Sequence, residues 1–283
     1  MKRTARSSRS VPFGFVSLPP GRSQRKPRAR GLTMMADFGL PYGMARDTVE
    51  MAGHYIDLAK IAVGTSRLYP LAYLRRKLAL YRHHRVRPFI GGQFLEYVFA
   101  THGPRALPRF FAEARRVGFD VIEISDNCVP LGDAERQSQI RLARDSGLAV
   151  FGEVGSKDAR NAPGKLVRQA RLCFDAGAEL VLVEAAELVG RGRPDARLLG
   201  ALRRELDMSR VLIELPGPWI SGVSLSAVED MKKFLVAEFG PDVNIANVLP
   251  QDVLETEALR VGLGVVGPLR VSRPAIDPAS RRS

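Results

Sequence analysis

The sequence predicts an α/β chain folded as a single (β/α)8 TIM barrel. Two patterns predict it: eight short apolar runs rich in β-branched residues alternate with helical patterns, and a glycine repeatedly closes a helical pattern just before the next run. The length of 283 residues agrees, because a barrel of this kind takes roughly 250.

In order, the runs are Leu32 to Ala36, Tyr55 to Ile61, Arg87 to Ile90, Val121 to Ser125, Ala149 to Val154, Leu180 to Glu184, Val211 to Leu215 and Val243 to Val248. Most are nearly continuous apolar stretches, as expected of parallel strands covered on both faces. Between them, Leu107 to Arg116, Ala134 to Asp145 and Leu166 to Asp175 place apolar residues three and four apart, the spacing of amphipathic helices. Gly118, Gly147 and Gly177 follow these patterns, and glycine adopts the left-handed conformation of a helix C′ position at little cost. A doubly wound open sheet has the same rhythm. The lack of a GxGxxG turn after the first run favours closure. The organisation is therefore a basic N-terminal arm over 1–30, a barrel over 31–267 and a basic C-terminal tail over 268–283.

The net charge of +13 raises the question of nucleic acid. Nine Lys and Arg residues from Lys2 to Arg30 precede the first run with no acid among them, and Arg270, Arg273, Arg281 and Arg282 face only Asp277 in the tail. The excess thus belongs to two ends that read as solvated, and nucleic acid is not the expected partner. Cys128 and Cys173 have neither disulfide nor zinc spacing, and no apolar run approaches the roughly 20 residues needed to cross a bilayer. A reducing, cytoplasmic setting is expected, and an exposed helix face leaves room for a homo-oligomer. The four histidines show no metal-ligand spacing.

A barrel collects its chemistry at the carboxyl ends of its strands. There the runs deliver Asp37, Lys60, Glu123 with Asp126, Glu153 with Lys157, Glu184 and Glu214. Converging carboxylates repel one another unless a cation lies between them. A hard divalent ion, Mg2+ by its preference for oxygen, would reconcile Glu123, Asp126, Glu153, Glu184 and Glu214 as ligands. Lys60, set in an apolar run, should meet one of these acids, in the mouth or as a structural ion pair. Trp219, just past the seventh run, reads as a lid or as a plug.

An ordered set of stretches from about residue 15 to 265 resembles the phosphosulfolactate synthases, known from coenzyme M biosynthesis and with bacterial and plant heat-stress-associated relatives. The stretches are Lys26-Pro27-Arg28, Gly31-Leu32-Thr33, Asp37 with Gly39, Tyr55-Ile56-Asp57 with Lys60 and Gly64-Thr65-Ser66. Gly91-Gly92 with Phe94 and Glu96, Ile122-Glu123-Ile124-Ser125, Glu153 to Asp158, Asp175 to Ala178, Glu214 with Pro216, and Gly240 to Asn244 with Ala246-Asn247 complete the set. The resemblance implies a (β/α)8 lyase that adds sulfite to phosphoenolpyruvate through a metal-stabilised enediolate. It implies Lys157 as proton donor, assisted by Lys60, and Asp37, Ser66, Glu96, Ser156 and Asn247 as substrate contacts.

Three departures matter. Phe38, Ala186 and Gly264 stand where the family usually has a lysine and two arginines suited to anions. Arg67, Arg160, Arg191 and Arg193 could compensate from loops, Arg191 being the expected substrate contact. The alternatives are a barrel enzyme acting on an unphosphorylated small acid, and a non-catalytic stress or interaction protein on the same scaffold.

Overall fold

Strand residues alternate between two faces, and here that alternation separates the inside of a barrel from its wall. The computed structural model describes residues 11–155, 162–190, 193–217 and 222–263. Its strands are β1 (Thr33–Asp37), β2 (Leu58–Ile61), β3 (Arg87–Ile90), β4 (Val121–Ile124), β5 (Ala149–Val154), β6 (Leu180–Glu184), β7 (Val211–Glu214) and β8 (Ile245–Val248). All eight run parallel, and β1 pairs with β8 as well as β2, so the sheet closes and the open-sheet alternative falls away.

Met34, Leu58, Phe89, Val121, Phe151, Leu182, Leu212 and Ala246, one from each strand, pack with Leu32 into an interior apolar cluster. Residues of opposite parity, such as Met35, Ala59, Ile122 and Val150, join the larger core between the barrel and its helices. Those helices are α1 (Tyr42–Ala52), α2 (Leu71–His83), α3 (Gly92–His102), α4 (Leu107–Val117), α5 (Asp133–Asp145), α6 (Pro163–Ala176), α7 (Ala196–Glu205), α8 (Leu225–Phe239) and α9 (Val253–Arg260). Gly118 and Gly177 cap α4 and α6 at φ 115° and 102°, as their positions in the sequence require. A two-residue antiparallel pairing, Val189–Gly190 with Arg193–Pro194, separates β6 from α7 and had no signal in the sequence. Among the described residues no helix is long and apolar enough to cross a membrane.

The expectation of a solvated N-terminal arm is corrected at residues 22 to 28, which pack across the amino end of the barrel. Arg22 is buried in ion pairs with Glu257 (2.9 Å) and Asp242 (3.3 Å), and Arg28 pairs with Asp57 at 3.0 Å. Lys26 donates to the carbonyls of Gly53, Ile56 and His84. Acids and carbonyls thus replace the water these cations give up, although burial still pulls the Lys26 ammonium down to about 8.

Candidate active site

Two residues beyond the interior apolar cluster, the same inward parity leads from Leu58 to Lys60, Val121 to Glu123, Phe151 to Glu153, Leu182 to Glu184 and Leu212 to Glu214. One layer of the barrel is hydrocarbon and the next is charged. Lys60 Nζ stands 2.9 Å from Glu123, 3.2 Å from Glu214 and 3.9 Å from Glu153. One carboxylate oxygen from each of these glutamates falls within 4.8 Å of the others.

Two glycines just past β3 make this convergence sterically possible. Gly91 continues the inward parity of Phe89, and a Cβ there would come within 3.1 Å of Lys60 Cε. At Gly92 a Cβ would lie 2.1 Å from Ser125 Oγ and 3.1 Å from Glu123 Oε1, so a side chain is excluded. The Gly92 N–H, at the start of α3, donates to Glu123 at 2.8 Å, and Asn127 Nδ2 donates to Glu153 at 2.6 Å.

The electrostatics are unbalanced. Burial lowers the pKa of Lys60, but Glu123, Glu214 and Glu153 outweigh it and hold the ammonium well above its ordinary range. Burial pushes Glu123 up to about 8; Lys60 and the Gly92 N–H oppose this, while Glu153 and Glu214 add to it. Three carboxylates against one ammonium leave two negative charges uncompensated when all are ionised. Oxygen donors in excess by two charges suit a hard divalent ion, which would displace the proton that Glu123 otherwise retains.

Above this floor opens a cavity of about 160 Å³, lined by Lys60, Glu123, Gln93 and Asn127 and by Phe38, Ala62, Val63, Gly91, Gly92 and Asn247. Asn247 enters through an irregularity in β8. Thr33 pairs with Ile245 but Met35 pairs with Val248, leaving one extra residue on β8, and Asn247 adopts φ 61°. Its amide donates to the Leu215 carbonyl at 3.4 Å.

Of the five expected metal ligands, Glu123, Glu153 and Glu214 converge. Glu184 is inward and buried beside Glu214, its registered partner, but lies outside the converging set. Asp126 lies past the end of β4 and turns to the buried guanidinium of Arg136, so it is not brought to the ion site.

The expected substrate contacts are more scattered. Asp37 has outward parity, behind the wall, where Lys77 and Tyr81 both reach its Oδ2 at 2.6 Å and its Oδ1 accepts from the N–H of Gly39 and Leu40. Glu96 accepts from Ser125, Cys128 and Val129 and thereby holds the loop that carries Asn127. Ser66 and Arg67 line a separate apolar cavity beside Phe94 and Phe110. Asn247 lines the mouth as expected. Lys157, Ser156 and Arg191 lie outside the described residues, as do Arg160 and Trp219, the side chains of Ala186 and Arg193, and Gly264. Sequence reasoning missed Asn127, Gln93 and Val63; only the position of Asn127 just after a strand that ends in acids could have indicated it.

A family model described as (2R)-phospho-3-sulfolactate synthase (ComA) matches residues 21–265. A phosphosulfolactate synthase from Methanothermobacter thermautotrophicus is 33% identical over 260 residues, covering 88% of this chain and 95% of the relative. Protein HEAT-STRESS-ASSOCIATED 32 of Arabidopsis thaliana is 22% identical, covering 83% of this chain and 87% of its own. Among solved structures, the YdjI aldolase from Escherichia coli K12 aligns with a TM-score of 0.52 at 11% identity, covering 79% of this chain and 76% of that one, a likeness of fold alone.

Proposed function

The chain belongs to the phosphosulfolactate synthase family, and from that premise we propose that it is a magnesium-dependent carbon–sulfur lyase that adds sulfite to phosphoenolpyruvate at the barrel mouth. The observation that carries this reading is the charge excess on the floor, three converging carboxylates around one ammonium.

In the reaction the sulfur lone pair of sulfite bonds to the terminal alkene carbon. The alkene π pair moves towards the carbon that bears the carboxylate, and a proton added to that carbon completes phosphosulfolactate. Glu123, Glu153 and Glu214 would hold magnesium, which when bound supplies Lewis-acid stabilisation of charge on the substrate carboxylate. Lys60 holds the three acids together and presents a fixed positive charge to an anionic substrate. Because Lys60 keeps its proton far above neutral pH, it is a poor acid. The proton is assigned to Lys157 on the family resemblance alone. Asn127 and the Gly92 N–H orient the carboxylates.

Purified protein incubated with phosphoenolpyruvate, sulfite and magnesium should yield a new sulfonate by mass spectrometry, and chelation should abolish it. Lys157→Ala should lower kcat by about 10²–10⁴-fold while magnesium affinity is retained. No sulfonate from the wild-type protein would reject the reading.

One observation favours a second substrate class. Among the described residues lining the cavity, Lys60 is the one cationic side chain, and it is already shared by three acids. An unphosphorylated small enoic acid needs less positive charge than phosphoenolpyruvate. If such acids react with sulfite and phosphoenolpyruvate does not, this second reading replaces the first.

A further inference from the structure

Val63 stands in a conformation that disfavours its own side chain. It lies just past β2 at φ 47°, and a β-branched residue at positive φ is a genuine outlier. The residue is also 53% exposed, so hydrocarbon meets water in addition to the backbone strain. The turn itself does not require valine: Thr65 donates its N–H to the Ala62 carbonyl at 3.1 Å and Gly64 follows at φ 75°, an arrangement that asparagine or glycine at position 63 would satisfy. Among the described residues, what Val63 does is line the candidate site.

Phe38 is the second apolar side chain presented there, 40% exposed and lining the same cavity. Its position is set from behind. Asp37, anchored by Lys77 and Tyr81, binds the N–H groups of Gly39 and Leu40, fixing the backbone on either side of Phe38.

We propose that Phe38 and Val63 are specificity-determining residues, a hydrocarbon wall that selects a small carboxylic acid whose chain beyond the carboxylate-bearing carbon is hydrocarbon. Asp37 acts through this wall as a positioning residue. The proposal rests on the metal-and-acid reading of the floor and names the substrate feature that the rest of the pocket recognises. Strain retained at a ligand-facing residue is a recurring property of functional sites.

Calorimetric titration of the full chain in magnesium tests both layers. Oxalate, two carboxylates without hydrocarbon, probes the floor; pyruvate, 2-oxobutanoate and 2-oxopentanoate probe the wall. Oxalate should bind only with magnesium, and affinity along the oxo-acid series should rise about fourfold per methylene. In Val63→Asn and Phe38→Ala oxalate should still bind, but the series should flatten to within about twofold. Val63→Asn should also melt about 2–3 °C higher, because asparagine tolerates the left-handed conformation. If oxalate binds to the wild type while the series is flat, or if both variants keep the wild-type increment, the wall is refuted and the floor stands. If neither oxalate nor the oxo acids bind in magnesium, the reading of the floor and the proposal fall together.

Discussion

The two ends of this barrel both bury charge, with opposite accounting. At the amino end Arg22 meets Glu257 and Asp242, Arg28 meets Asp57, and Arg260 donates to the carbonyls of Pro241 and Val243. Each cation there has its acid or its carbonyls, and the pairs tie the arm and α9 to the strands. At the carboxyl end one ammonium serves three glutamates. A balanced end holds the fold together, whereas the unbalanced end costs stability and is ready to bind a cation, so burial of charge alone does not separate structure from function.

The largest expected effect lies at the balanced end. Arg28→Ala leaves Asp57 buried without its cation, and breaking a buried pair costs about 3–5 kcal/mol. Thermal denaturation should fall by roughly 10 °C, with the magnesium affinity of the remaining folded protein unchanged. Replacing both partners with Arg28→Met and Asp57→Leu should recover part of that loss; a double variant as unstable as the single one would show that the pair is not what holds the arm.

Next comes the unbalanced end, where the sign of the stability change should reverse. Glu214→Gln removes a carboxylate from a crowded cluster, so the metal-free protein should melt no lower than wild type. Magnesium affinity should fall by at least about 10²-fold, since even residues that merely orient metal ligands contribute 10–100-fold. A destabilised variant with full magnesium affinity would place Glu214 with the structural ion pairs.

The same contrast explains what could be read from the residues. The strands, the glycine caps and the charged layer were legible because period-two parity and recurrence are local properties. Asp37 and Glu123 both end apolar runs, yet the first faces α2 and the second faces the axis. Their difference is one residue of parity relative to Met34 and Val121, visible only once the interior face is known. Arg22 read as solvated because its partners lie 235 and 220 residues away. Asp126 failed because Arg136, a turn into α5, competes for it.

Glu123 titrates near 8 in the folded chain, chiefly through burial, against 4.5 ordinarily. The folded state therefore holds a proton that the unfolded chain has lost between these values, and metal-free stability should decline as pH rises from about 5 to 8. Magnesium competes with that proton, so its affinity should climb up to tenfold per pH unit towards 8 and flatten above. In saturating magnesium the two effects cancel, so the melting temperature should fall across this window without the metal and stay nearly level with it. Parallel slopes would mean that Glu123 is not a ligand.

The smallest effect is expected where charge pairs remain in water. Arg82, at the end of α2, reaches Asp120 before β4 at 3.0 Å, with both side chains exposed at the amino-end rim. An exposed pair gains little over its hydrated partners and is screened by salt, so Asp120→Asn should shift melting by less than about 2 °C, and less still in 1 M salt. A loss comparable to that of Arg28→Ala would mean that proximity to the amino end, and not exclusion of water, makes its ion pairs structural.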